Sequence, residues 1–141
     1  MEIKAKKSLG QNFLTDKNIL KLIVDTGNVT KNDKILEVGP GTGNLTDLII
    51  KKNPKKIYTI EKDYNLVSFL NNKFKKKIKI INKDILDFNI NSITDEKLVV
   101  FGNLPYNIST QILTRWIVDE LQFGSFKKLI LMFQKEVASR I

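Results

Sequence analysis

Ile35-Leu36-Glu37-Val38-Gly39-Pro40-Gly41-Thr42-Gly43-Asn44-Leu45-Thr46 decides the fold. The stretch reads as a short apolar strand, a glycine turn and the start of a helix. Glycines at 39, 41 and 43 let the backbone turn tightly and approach a ligand where a β-carbon would intrude. The first turn of the following helix points unpaired N–H groups at the same place. Strand, turn and helix in that order form the nucleotide crevice of a doubly wound α/β sheet, at the carboxyl end of its first strand. The dinucleotide fingerprint wants glycine where Asn44 stands, and Pro40 removes one N–H from the loop. A loop short of donors suits a ligand without a pyrophosphate, for which S-adenosylmethionine is the obvious choice. A glycine turn with no ligand is the alternative, and the rest of the chain has to decide.

On either side, strands and helices alternate. Downstream of the loop, Leu45, Leu48 and Ile49 form a helical face that ends near Asn53-Pro54. Residues 57–61 read as strand two, and Leu66, Val67 and Leu70 mark another helix. Strand three falls at 78–82, strand four at 98–101 and strand five at 129–133. A helix over 110–121 separates the last two, with Ile112, Leu113, Trp116 and Ile117 as its buried stripe. Upstream, a basic arm (Lys4 to Lys7) runs into the anchor Phe13-Leu14. Thr15 or Asp16 then caps a helix whose apolar face is Leu20, Ile23, Val24 and Gly27. The spacing predicts one α/β domain with a mostly parallel, doubly wound sheet.

Composition narrows the chemistry. The 141 residues make one domain, able to bury about two thirds of its unfolded surface. Net charge is +9, from 24 basic residues against 15 acidic ones, so a polyanion such as RNA is a natural partner. A lysine-rich compositional bias would raise the charge with no partner at all, so the charge only supports that reading. There is no cysteine and no histidine. Disulfides, the usual zinc sites, thiol nucleophiles and Ser-His-Asp triads are thereby excluded, and so is the commonest general base. No secretory signal or spanning apolar run is visible, and a soluble, cytoplasmic protein without membrane or metal partners is expected.

Three further features fall at carboxyl ends of strands, where ligands bind in such sheets. Glu61 closes strand two about 20 residues past the glycine loop, where an acid can accept hydrogen bonds from both ribose hydroxyls. Asp84 follows strand three and can accept from an adenine amino group, or cap the turn at Ile85-Leu86. Asn103-Leu104-Pro105-Tyr106 follows strand four. Pro105 biases Leu104 away from helical angles and can aim its carbonyl out of the chain. With the Asn103 amide oxygen, that carbonyl can accept both hydrogens of an exocyclic amine, and Tyr106 offers a flat face for a flipped base. Taken alone, the tetrapeptide is equally an asparagine–proline turn with a buried tyrosine.

Asn103-Leu104-Pro105-Tyr106-Asn107-Ile108-Ser109-Thr110 resembles the signature of the rRNA adenine N6,N6-dimethyltransferases. Gly10-Gln11-Asn12-Phe13-Leu14, Glu37-Val38-Gly39-Pro40-Gly41-Thr42-Gly43 and Gln134-Lys135-Glu136-Val137-Ala138-Ser139-Arg140-Ile141 are similar to that family's other blocks, in its order. The residues after Asn103 and Tyr106 lean toward the members that modify two adjacent adenines near the 3′ end of 16S rRNA. They lean away from the macrolide-resistance relatives that methylate 23S rRNA. The resemblance implies a Rossmann-like class I methyltransferase sheet with S-adenosylmethionine as cofactor and 16S rRNA in the small-subunit precursor as partner. It implies donor contacts at Asn12, Leu14, Gly39, Gly41, Glu61, Asp84 and Asn103, with Asn103, Leu104, Pro105 and Tyr106 at the target amine. Residues 1–30 are expected to form an arm and helix, and 31–141 the nucleotide-binding sheet. The family's sheet continues with two more strands and a small RNA-gripping helical domain. The sheet here is therefore expected to be incomplete at its C-terminus, with strand 129–133 open to self-association, and the chain to bind the donor but act weakly. The reaction implied is in-line attack of adenine N6 on the sulfonium methyl, with rate from positioning and electrostatics rather than a strong base. The rivals are a nicotinamide oxidoreductase on the same sheet and a non-catalytic RNA-binding module.

Overall fold

The fold comes from a computed structural model, and the structure describes residues 2–6 and 13–141. Its strands are β1 (Lys34–Val38), β2 (Lys56–Ile60), β3 (Lys79–Ile81), β4 (Leu98–Asn103) and β5 (Phe126–Met132). Helices α1 (Lys17–Gly27), α2 (Asn44–Lys51), α3 (Tyr64–Phe74), α4 (Ser109–Phe123) and α5 (Lys135–Ala138) lie between and around them. The five strands form one sheet in the order β3-β2-β1-β4-β5, and every pairing is parallel. The chain builds outward from β1 through β2 to β3, then returns to β4 on β1's other side. The order therefore reverses between β1 and β4, and a crevice opens at their carboxyl ends.

The strands are apolar on both faces because both faces are covered. Side chains alternate along each strand, so Ile35, Ile57, Val99 and Phe101 point one way and meet α1, α2 and α3. Leu36, Val38, Tyr58, Ile60, Leu98 and Val100 point the other way, onto α4 and the segment 85–93. Helix α1 begins where expected. The Asp16 carboxylate accepts from the N–H groups of Asn18 (2.9 Å) and Ile19 (3.1 Å), and Leu20, Ile23, Val24 and Gly27 are buried.

Three expectations need correcting. Strand β5 spans Phe126–Met132, not 129–133, because α4 is capped at Gly124 and Phe126 already pairs with Leu98. In α4, Ile112 and Trp116 are buried and Trp116 meets Phe126 at 5.8 Å between ring centroids, but Ile117 is 51 % exposed. Trp116 fills the space against the sheet, and Ile117 sits some 100° further round the helix, beyond that contact. Strand β4 also runs on through Gly102 and Asn103, which pair with Leu131 and Met132. Asn103 is thus the last residue of the strand, and the sheet itself fixes its direction.

Candidate functional site

The carboxyl ends of β1, β2 and β4 converge on a cleft of about 180 Å³. Its walls include Leu14, Gly39, Gly41, Glu61, Asp84, Asn103, Leu104 and Pro105, so most of the residues singled out in the sequence meet there. Asn12 lies outside the described residues. Tyr106 is not part of the wall. It stands 48 % exposed beside it, with its carbonyl accepting from the Ser109 hydroxyl at 3.4 Å.

The loop after β1 keeps the ladder going before it turns. The Gly39 N–H donates to the Ile60 carbonyl (3.0 Å), and the Gly43 N–H donates to the Pro40 carbonyl (2.9 Å). At Gly39 φ is +68°, and a β-carbon would stand 3.2 Å from the Asn103 carbonyl oxygen. Glycine there lets the ends of β1 and β4 close on each other. At Gly43 φ is +86°, and a β-carbon would meet the Phe74 ring at 2.5 Å, so α2 can start against α3 only with glycine in place.

Asn44, which departs from the dinucleotide fingerprint, has a structural job. Its side-chain N–H donates to the Leu14 carbonyl at 3.0 Å, tying the N-terminal segment across the loop. The Phe13 ring lies over Gly41, 3.1 Å from where a β-carbon would be. On the same side Lys6 pairs with the buried Asp63 at 2.8 Å.

Two buried carboxylates face the cleft from adjacent strand ends. Glu61 is 7 % exposed, and its side chain accepts from the Asp63 N–H at 2.8 Å. Burial pushes its pKa up, while the amides of Asp63, Gly41 and Lys62 hold it back. Glu37 is 2 % exposed and accepts from the Thr46 hydroxyl at 2.5 Å. Burial drives its pKa up to about 7 against that hydrogen bond. Asp84 fulfils the capping reading while lining the cleft. One oxygen accepts from the Leu86 N–H (3.0 Å) and the other pairs with Lys62 (2.9 Å), which holds its pKa below the ordinary value.

The sequence reading passed over Glu37 as an ionisable group, Asn44 as a tie, Lys62 as the partner of Asp84, and Arg115. The Arg115 guanidinium donates to the carbonyls of Leu86, Ile85 (3.4 Å) and Phe88 (2.9 Å), bracing the turn that carries Asp84. A planar fork of donors can serve several carbonyls at once, which a lysine ammonium does less well. The chain has two arginines among 24 basic residues, and that rarity was the one available signal.

Comparison with known proteins agrees with this geometry. The family model for ribosomal RNA adenine dimethylase matches residues 2–141. The ribosomal RNA small subunit methyltransferase A of Pelagibacter ubique is 58 % identical over 141 residues, covering 100 % of this chain and 53 % of that protein. Its namesake in Wolbachia pipientis is 43 % identical over 142 residues, covering 99 % and 49 %. The chain thus spans about half the length of the curated relatives it matches. Among solved structures, a dimethyladenosine transferase from Plasmodium falciparum superposes with a TM-score of 0.78 at 28 % identity, covering 92 % of this chain and 46 % of that one. The 23S rRNA methyltransferase ErmE does so at 0.77 and 26 %, covering 90 % and 50 %. The Streptococcus pneumoniae protein Sp1610, solved with S-adenosyl-L-methionine, shares the fold with a TM-score of 0.66 at 15 % identity, covering 89 % of this chain and 59 % of that one. The sheet is the Rossmann-like class I methyltransferase sheet, and the chain belongs to the ribosomal RNA adenine dimethylase family.

Proposed function

We propose that this chain carries the donor site and target-amine site of an S-adenosylmethionine-dependent enzyme that dimethylates N6 of two adjacent adenines near the 3′ end of 16S rRNA. The observation that carries the reading is the meeting of Gly39, Glu61 and Asn103-Leu104-Pro105 in one cleft at the switch point of the sheet. The residues fit the donor. A buried carboxylate ends β2, a glycine lies back-to-back with the Asn103 carbonyl, and Pro40 leaves the loop without the N–H row a pyrophosphate would use. We assign residues 1–30 to an arm and helix and 31–141 to the nucleotide-binding sheet of one methyltransferase domain. The names of the relatives favour the small subunit over 23S rRNA, whereas the backbone fits both kinds of relative equally well.

When bound, S-adenosylmethionine supplies an electrophilic methyl on a sulfonium sulfur. Glu61 accepts from the ribose hydroxyls, and Asp84 faces the adenine amino group of the donor. The Asn103 amide oxygen and the Leu104 carbonyl accept the hydrogens of the target amine, drawing its nitrogen out of conjugation and aiming its lone pair. Pro105 fixes the direction of that carbonyl, and Tyr106 at the rim stacks the extruded base. No histidine or cysteine is present to act as a base, so these groups act by orientation and by accepting hydrogen bonds.

The test pairs two measurements on Tyr106→Ala, made in a version of the enzyme as long as its curated relatives. Calorimetry should give a donor affinity within about twofold of the parent, while methyl transfer to unmethylated small subunits falls at least tenfold. NAD should not bind the parent chain. Equal loss of donor affinity and transfer would make Tyr106 a wall of the donor pocket instead, and NAD binding would favour the oxidoreductase reading.

A further inference from the structure

The positive charge of this chain is concentrated in one place. Residues 51–60 and 71–83 hold ten lysines and no aspartate or glutamate. The other 118 residues carry 14 basic against 15 acidic side chains and are close to neutral. A compositional bias toward lysine would spread the charge; here two segments hold all of the excess.

The fold then brings those segments together. Lys56 starts β2 and Lys79 starts β3, and the turn Lys75–Lys77 precedes β3. Lys55, Lys56, Lys76, Lys77 and Lys79, with Asn53 and Pro54, line a groove of about 430 Å³. It lies at the amino ends of the strands, the opposite end from the donor cleft. Among the described residues Lys55 pairs with Glu96 at 2.8 Å, but no carboxylate lies within ion-pair distance of Lys56, Lys76, Lys77 or Lys79. Asn53 in the groove and Lys75 next to Lys76 have φ of +52° each, and Lys75 has ψ of −123°, a conformation in which glycine would be at ease. A lysine held there keeps the run of charge unbroken.

Strand β3 is an edge of the sheet, and it leads from this groove to the cleft. Along β3 from Lys79 to Ile81 the chain covers about 7 Å, and Lys83, which lines the donor cleft with Lys62, follows a tight turn in which its N–H donates to the Ile81 carbonyl at 3.1 Å. A lysine or two would be enough to blunt an edge strand. A groove lined by five lysines and continued along the edge to the cleft has the shape of a track for a phosphate backbone.

We propose that the groove formed by Lys55, Lys56, Lys76, Lys77 and Lys79 is a second RNA contact, holding backbone phosphates that flank the target base along the β3 edge. The proposal rests on the functional reading above only for the choice of RNA as the polyanion. The lysines act as mobile point charges on phosphate oxygens, so the contact positions the RNA without reading its sequence.

The test uses the whole chain and a fluorescently labelled RNA hairpin of about 20 nucleotides as the probe. Lys76→Glu/Lys77→Glu should weaken RNA binding at least tenfold at 0.1 M salt. The slope of log affinity against log salt should fall by about 1.4–1.8, two contacts at 0.7–0.9 each. Lys97→Glu/Lys135→Glu makes the same charge change on the β4–β5 half and should leave the slope nearly unchanged. Calorimetry with S-adenosylmethionine checks that both variants keep their donor site. Equal loss in both double variants would mean diffuse attraction and would overturn the groove, as would an unchanged slope in the first or failure of the parent to bind RNA. Groove-specific RNA binding in a chain that does not bind S-adenosylmethionine would sustain the groove while removing the methyltransferase reading.

Discussion

Glu37 and Glu61 are both buried at the carboxyl ends of neighbouring strands, yet their surroundings give them different properties. Amide N–H groups converge on Glu61, an arrangement that favours its charged form and opposes burial. Glu37 has one neutral hydroxyl partner, and the nearby carboxylates of Asp47 and Glu61 add to burial in raising its pKa. If Glu61 holds the ribose, Glu61→Ala should weaken S-adenosylmethionine by roughly 2–4 kcal/mol, the loss of two charge-assisted hydrogen bonds. An unchanged dissociation constant by calorimetry would refute the ribose assignment. For Glu37, the folded-state pKa of about 7 lies above the ordinary 4.5. Between those values the native chain binds more protons than the unfolded one, so stability must fall as pH rises through that window. Below about pH 4.5 the penalty vanishes, and above pH 7 it reaches roughly 3 kcal/mol. Glu37→Gln keeps an acceptor for Thr46 and removes the charge. Urea unfolding should therefore find it more stable than the parent at pH 8 and nearly equal at pH 4.5; a constant difference across that range would contradict the assignment.

At the scale of elements, α1 shows what a sequence pattern does and does not convey. The cap at Asp16 and the stripe Leu20, Ile23, Val24 and Gly27 depend on residues within one or two turns, and they were readable in the sequence. What Gly27 meets was not. A β-carbon there would come within 2.4 Å of the Phe101 ring, in a strand 74 residues later whose side chain is fully buried. Gly27→Ala sets at most about 1 kcal/mol of helix propensity against about 1–3 kcal/mol of overpacking. The expected outcome is a net loss of about 1–2 kcal/mol in the urea unfolding free energy; a more stable variant would show that Phe101 yields. The site divides in the same way. That Gly39, Gly41, Glu61, Asp84 and Asn103 gather in one cleft was legible because each lies at or just past the carboxyl end of a strand, and parallel strands put all their carboxyl ends on one side. The Asn44 tie to Leu14, the Lys62 pair with Asp84 and the Arg115 brace on the turn at 85–88 join residues 22 to 30 positions apart, beyond any local pattern. Ile117 has the periodicity of a buried residue but lies beyond what Trp116 covers.

Across the whole molecule, the two edges of the sheet contrast. The β3 edge is short and bordered by lysines, a combination that discourages strand pairing with other chains. The β5 edge is longer, and Leu129, Ile130, Leu131 and Met132 along it are only half-buried. Its side chains serve both cores: Ile130 and Met132 pack on one face, Leu129 and Leu131 on the other. That two-sided apolar pattern belongs to a strand inside a sheet, yet among the described residues β5 pairs with β4 alone. Two of the three lysines near it are engaged elsewhere: Lys127 pairs with Asp33 at 2.6 Å, and Lys128 reaches the Gly27 carbonyl at 3.3 Å, which leaves Lys135 past the end of the strand. We therefore expect this chain, by itself in solution, to associate through β5. Light scattering should show a mass that rises from the 16.2 kDa of the monomer as concentration increases into the hundreds of micromolar. Over the same range amide exchange should slow at 126–132 and stay unchanged at 79–81, since a general crowding of molecules would protect neither edge selectively. A mass fixed at 16.2 kDa, or protection appearing at β3 in place of β5, would sink the idea.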